Sequence, residues 1–216
     1  MFPLGHPARL AVFASGGGSN LKAILDAFPA GHKLASVRLV LSDKVGVGAL
    51  KRAGAKGVPA FYHPFPSRRR DPDGRGREAF ERFAEGHLRN GHIDLICLAG
   101  FMRILSPSFN VRWAGRLLNI HPSLLPDFKG LHPQRQALRA GRTEAGCSVH
   151  FVDAGVDTGQ VILQRRVPVL SGDTEETLGA RILEQEHQAY PAAIRSVLTG
   201  AVRYAAQSEL GPEASR

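Results

Sequence analysis

The chain has 216 residues, 43% of them hydrophobic and 22% charged, which is enough for one well-buried core of ordinary globular composition. Two distant cysteines, Cys97 and Cys147, argue against a disulfide scaffold or a thiolate metal site and fit a cytoplasmic setting. The formal net charge of +9 suits small anionic ligands, but the positives are dispersed apart from Arg68-Arg69-Arg70 with Arg75 and Arg77 nearby. No zinc-finger, RNA-recognition or basic-zipper pattern is present, so no nucleic-acid partner is expected. The longest apolar run, Ile93 to Met102, contains Asp94 and is far shorter than the roughly 18 residues of a membrane span. Leu10 to Ala14 is too short for the apolar core of a signal peptide.

Residues 1–8 read as a loose leader, and Arg9 to Ala14 as a buried first strand. Ser15-Gly16-Gly17-Gly18-Ser19-Asn20 follows at once, then Leu21, Ile24, Leu25 and Phe28 at helical spacing. Strand, glycine turn and helix together place backbone N–H groups around a phosphate. Glycine permits positive φ there, and Ser19 or Asn20 is expected to cap the helix. The turn is neither a P-loop nor a GxGxxG fingerprint.

Val37 to Ser42 predicts a second strand, 46–55 a short helix and Val58 to Tyr62 a third strand. Residues 63–76, rich in Pro, Gly and Arg, predict a loop. Glu78 to Leu88 has helical spacing, and Ile93 to Leu98 reads as a strand buried on both faces. Residues 99–105 form a turn leading into Ser106-Pro107, a helix start.

Leu117-Leu118-Asn119-Ile120-His121-Pro122 then begins as an apolar strand. Asn119 and His121 alternate with Leu118 and Ile120, so the two polar side chains leave one face together. Pro122 keeps His121 extended. An amide donor and a titratable ring thus stand at a strand end, where open α/β sheets put their ligands.

Residues 130–142 read as helical, and Ser148 to Val152 and Val161 to Val169 as strands flanking Asp153 to Gly159. In that loop Asp157 lies between Gly155 and Gly159, a pattern that turn chemistry alone would also explain. Asp173 with Glu176 resembles a capping box opening a helix of about 25 residues, which Pro191 should kink. The tail from about 207 is polar. The alternation of strands and helices predicts an α/β fold with a mostly parallel, doubly wound sheet. With no repeat and no linker, residues 1–216 are expected to form a single domain.

Seven segments in order carry a resemblance: SGGGSNL (15–21), LAGFMRIL (98–105), LLNIHPSLLP (117–126), GLHPQRQAL (130–138), SVHFV (148–152), VDTGQVI (156–162) and QEHQAYP (185–191). The chain resembles the folate-dependent phosphoribosylglycinamide formyltransferases, or glycinamide ribonucleotide transformylases, of purine synthesis. The resemblance implies a Rossmann-like formyltransferase fold with 10-formyltetrahydrofolate as co-substrate, 5-phosphoribosylglycinamide as acceptor, and no metal. It implies catalytic roles for Asn119 as oxyanion donor, His121 as general acid and Asp157 as the carboxylate that favours protonated imidazole. Gly18, Ser19 and Asn20 resemble the cradle for the ribonucleotide's phosphate end, and Glu186 the contact to its ribose hydroxyls. Met102, Arg103, Ile104 and Leu105 resemble the wall of the folate pocket, with Asn119 beside it and Arg77 on the folate side chain. His150 faces the site as support or packs beside it, His132 matches a family position of unspecified role, and His187 reads as structural.

Gly17 stands where some relatives carry Asn, and Leu183 where a polar substrate contact is sometimes found. The basic segment Arg68–Gly76 looks longer than usual, and its arginines would suit a polyglutamylated folate tail. Monomer and homodimer are both open. Methionyl-tRNA formyltransferase and formyltetrahydrofolate hydrolase share the Asn-x-His and Asp, but the first usually carries a different first turn and an added C-terminal domain, and the second an added N-terminal one. A dinucleotide-dependent oxidoreductase would want GxGxxG, although Asp43 lies near the right place for its acidic partner. A basic RNA-binding protein is the non-enzymatic alternative.

Overall fold

The computed structural model describes residues 2–67 and 69–205, so Arg68 and the expected tail lie outside the described residues. Among the described residues, seven strands form one sheet: β1 (Ala8–Phe13), β2 (Ala35–Ser42), β3 (Ala60–Tyr62), β4 (Leu95–Leu98), β5 (Leu117–His121), β6 (Glu144–Phe151) and β7 (Val161–Pro168). Their order is β3-β2-β1-β4-β5-β6-β7. The first five pair in parallel, whereas β6 is antiparallel to both β5 and β7. The expected mostly parallel, doubly wound α/β sheet is what the chain forms. The helices are α1 (Ser19–Ala27), α2 (Gly48–Ala55), α3 (Arg75–Asn90), α4 (Pro107–Arg112), α5 (Pro133–Arg139) and α6 (Glu175–Leu198).

Alternating strand residues feed two cores. Leu10, Val12, Leu95, Cys97, Leu118 and Ile120 pack with Leu21, Ile24, Ala53, Leu178 and Ile194, from α1, α2 and α6. Ala11, Phe13, Ile96, Leu98 and Leu117 pack with Phe80, Ala84, Leu88 and Phe109, from α3 and α4. Asn119 and His121 share the period-2 face of Leu117, the α3/α4 side, while Leu118 and Ile120 face the other core. The chain winds outward from β1 through β2 to β3, then returns to β4 and winds the other way. The strand order therefore reverses between β1 and β4, and the carboxyl ends of β1, β4 and β5 frame the crevice. Tyr190 of α6 is fully buried beneath it, its hydroxyl donating to the carbonyls of Leu98 (2.9 Å) and Leu118 (3.1 Å).

Several boundaries differ from the sequence expectation. Helix α1 is capped by Gly18 at φ 76°, with no side-chain cap, so neither Ser19 nor Asn20 caps it. Helix α3 starts at Arg75, because the Asp71 carboxylate accepts the N–H groups of Gly76 (2.9 Å) and Arg77 (3.0 Å). Helix α5 shrinks to 133–139 because Gly130 and His132 both take positive φ before Pro133. Strand β6 begins at Glu144, earlier than its pattern suggests. Gly146 there abuts the Arg165 carbonyl and has no room for a Cβ, so contact with β7 sets the residue type. The capping box of α6 uses Thr174 and Thr177, not Asp173 and Glu176, and the helix runs on through Pro191. In the segment expected as a leader, Phe2 and Leu4 pack against the core.

Candidate active site

Strand β5 delivers Asn119 and His121 from one face, and the loop after β6 delivers Asp157. Asp157 holds φ 52°, a left-handed conformation that Asp tolerates better than most residues. Its Oδ2 lies 3.3 Å from His121 Nδ1 and accepts the Gly130 N–H at 2.9 Å. Its Oδ1 lies 3.4 Å from Asn119 Nδ2 and 3.5 Å from His150 Nε2. The amide and the imidazole thus flank a single carboxylate, which brings all three residues together. His121 and His150 are both buried.

The ring orientations follow from the partners. His121 Nε2 lies 2.9 Å from the Phe128 carbonyl, which can only accept. Its two nitrogens therefore both face acceptors, an arrangement the doubly protonated ring satisfies. His150 Nδ1 lies 2.8 Å from the Phe151 carbonyl, and its Nε2 is 3.2 Å from Asn119 Nδ2. With the proton on Nδ1, His150 accepts one Asn119 N–H, and the second Asn119 N–H is aimed at Asp157 by the longer 3.4 Å contact. Burial pushes the Asp157 pKa up. The imidazoles of His150 and His121 beside it, with the N–H that Gly130 donates, outweigh that and hold it below the usual carboxylate value.

The glycine turn after β1 stands beside this group. Its residue Asn20 is buried and donates to Glu186 Oε2 at 2.6 Å, which joins the start of α1 to α6. Asn20 Oδ1 has no partner among the described residues. Burial raises the Glu186 pKa, with the Asn20 hydrogen bond opposing. The folded state then holds its proton to higher pH than the unfolded chain, so stability falls as pH rises above the unfolded value of about 4.5. Glu186→Gln keeps an oxygen to accept from Asn20. It should melt above wild type at pH 7–8, the gap closing as the pH falls toward 4.5 in thermal melts.

The 99–105 turn adjoins the glycine turn and forms a wall beside it. Met102 and Ile104 stand 66% and 67% exposed, an apolar surface facing outward, while Leu105 is buried. Ser15 couples this wall to the glycine turn. Its Oγ accepts the Met102 N–H at 2.9 Å, and its own N–H donates to the Gly100 carbonyl at 3.1 Å. Arg103 pairs with the buried Asp43 at 2.7 Å and lies over the Phe65 ring. Asp43 therefore braces this wall.

Other expected residues sit apart. Arg77 opens α3, and its buried Nε has no partner among the described residues. No hydrogen bond among them joins it to Asn119, His121 or Asp157. His132 precedes α5, exposed, with Nδ1 3.9 Å from Glu175. His187 follows Glu186 on α6, and burial, then Lys22, lower its pKa against the opposing charge of Glu184. Sequence reasoning missed the Phe128 carbonyl and the Gly130 N–H. The positive φ of Gly130 was the one available signal, and a single glycine does not disclose it. Among the described residues no group of three or more His, Cys, Asp or Glu could hold a metal ion, and no helix is long and apolar enough to cross a membrane.

Comparison with known proteins gives a consistent picture. The formyl transferase family pattern matches residues 8–194. The chain is 50% identical over 200 residues to a trifunctional purine biosynthetic protein adenosine-3 of Drosophila pseudoobscura pseudoobscura, covering 90% of this chain but only 14% of that protein. It is 46% identical over 186 residues to a phosphoribosylglycinamide formyltransferase of Escherichia coli (strain K12), covering 86% of this chain and 85% of that one. Among solved structures, glycinamide ribonucleotide transformylase 1 from Symbiobacterium toebii superposes with a TM-score of 0.82 at 46% identity, covering 91% and 90% of the two chains. The chain belongs to the formyl transferase family and, within it, to the phosphoribosylglycinamide formyltransferases.

Proposed function

We propose that the protein transfers the formyl group of 10-formyltetrahydrofolate to the amine of 5-phosphoribosylglycinamide in purine synthesis. The observation that carries this reading is the convergence of Asn119 and His121 on the Asp157 carboxylate at the carboxyl end of β5, in the crevice whose rim also carries the glycine turn and the apolar wall. The acceptor amine attacks the formyl carbon, and the formyl oxygen takes up negative charge. Donors aimed where that charge develops stabilise the transition state more than the substrate. Asn119 Nδ2 and His121 Nδ1 each meet one oxygen of the same carboxylate, at 3.4 and 3.3 Å, so the two donors stand together where that charge would develop. The Asn119 N–H held by the longer contact to Asp157 is the one free to turn to that oxygen. As the intermediate collapses, the bond to the folate nitrogen breaks and His121 supplies the proton that nitrogen needs, while the attacking amine gives up one of its own, which restores the protonated His121. Asp157 balances the imidazolium, and the Phe128 carbonyl fixes the ring.

The N–H groups at Gly18, Ser19 and Asn20 receive the phosphate, and Glu186 accepts from the ribose hydroxyls. The exposed Met102 and Ile104, with Arg103 and Leu105, receive the pterin end of the folate, and Arg77 lies toward its side chain. The whole reaction runs on small molecules without a metal, in a cytoplasmic protein. A coupled assay with purified protein tests the reading. Tetrahydrofolate release should require 5-phosphoribosylglycinamide, and folate release in its absence would point to a hydrolase instead.

A further inference from the structure

The glycine turn is fastened to α2 through two of its carbonyls. Ala49 N–H donates to the Gly16 carbonyl at 3.1 Å, and Arg52 Nε–H donates to the Gly17 carbonyl at 2.9 Å. Turn and helix are in backbone contact. A Cβ at Gly18 would lie 2.8 Å from Ala49 Cα, and one at Gly48 would lie 2.6 Å from the Gly17 oxygen. In a trans peptide the carbonyl and the next N–H point in opposite directions. Fixing the Gly16 carbonyl on α2 therefore aims the Gly17 N–H away from that helix, and fixing the Gly17 carbonyl does the same for the Gly18 N–H. Gly18 then turns left-handed, and α1 begins. Among the described residues no protein acceptor takes the N–H groups of Gly17, Gly18, Ser19 or Asn20. The buried Asn20 Oδ1 beside them is also without a partner, so the polar groups gathered here are built for something other than the chain itself.

We propose that Arg52 is a positioning residue for the ribonucleotide's phosphate. It acts by holding the Gly17 carbonyl so that the Gly18 N–H faces the anion. This rests on the reading of the glycine turn as the phosphate cradle. Arg52 is otherwise an exposed side chain on a short helix, and no ion pair among the described residues claims it.

The test compares wild type with Arg52→Ala and Arg52→Lys in the full chain, using 5-phosphoribosylglycinamide and its dephosphorylated riboside as acceptors. Arg52→Ala should raise the KM for the phosphorylated acceptor by about ten- to a hundredfold, the worth of a hydrogen bond serving a charged group. The KM for 10-formyltetrahydrofolate should stay within about twofold, and the riboside should be used as wild type uses it. Arg52→Lys, which keeps a charged donor, should recover part of the loss. Equal rises in the KM values of both substrates and of the riboside would show a merely structural role and overturn the proposal. So would an unchanged phosphorylated-acceptor KM. A wild type that fails to distinguish acceptor from riboside would instead remove the phosphate cradle itself, a failure separate from that of Arg52.

Discussion

Asp157→Asn should lower kcat by about 10²- to 10⁴-fold and leave both KM values within about threefold. The substitution is clean. Asn accepts the left-handed φ of 52° at least as well as Asp, and its oxygen can still take the Gly130 N–H. What it loses is the charge. With the oxygen in the place of Oδ2, which serves Gly130 and His121 Nδ1 alike, the amide nitrogen takes the place of Oδ1, and no negative charge remains to balance a doubly protonated His121 ring. Asn119 also loses its acceptor at Oδ1. The acid that serves the oxyanion is gone while the substrate surfaces are intact, which separates kcat from KM. The pH dependence carries its own sign. The Asp157 pKa is held below the usual value, so its ionised form stabilises the fold above about pH 4, the unfolded-state value, and that contribution is lost as pH falls through the folded value. Wild type should therefore melt above the variant at neutral pH, with the difference shrinking below about pH 4. Steady-state and single-turnover kinetics with paired thermal melts check both statements, and near-wild-type turnover would take Asp157 out of the mechanism.

Much of this arrangement is legible in the residues, and the reason is periodicity. Leu118 and Ile120 mark one face of a strand, so Asn119 and His121 must share the other. The strand–helix alternation through residue 121 determines a parallel sheet, and the glycines after β1 announce a turn with positive φ. Asp157 was legible only through the resemblance, because an Asp between glycines in a loop reads equally well as turn chemistry. The parts that were not legible are backbone parts. The Phe128 carbonyl orients His121, the Gly130 N–H holds Asp157, and the Gly17 carbonyl is held by Arg52, yet a carbonyl or an N–H looks the same in every residue. Asp43 makes the complementary point. It lies near the place of a dinucleotide site's acidic residue, a reading the glycine turn already disfavoured, and its side chain is buried against Arg103, a pairing across sixty residues that local pattern cannot display.

Gly159→Ala should reach the same centre from outside it. A Cβ on Gly159 would overlap the carbonyl oxygen of Phe151, at the end of β6, where neither backbone can yield freely. The Phe151 N–H is already spent on the Gln160 carbonyl at 2.9 Å, so β6 and the start of β7 are locked at this point. The carbonyl under pressure is also the one that fixes His150 Nδ1. His150 in turn meets Asn119 and Asp157 through Nε2. Relief of the overlap must move either that carbonyl, which turns His150, or the segment carrying Asp157 two residues earlier. Overpacking of this kind typically costs about 1–3 kcal/mol. For a chain of this length each kcal/mol lowers Tm by about 2–4 °C. A displacement approaching 1 Å at a reacting group costs about a further hundredfold in rate. The variant should thus lose kcat well beyond what its residual stability explains, measured at a temperature where melts show it folded. Full activity in a destabilised Gly159→Ala would mean that the loop absorbs the added methyl without disturbing His150 or Asp157, and that the glycine serves the fold alone.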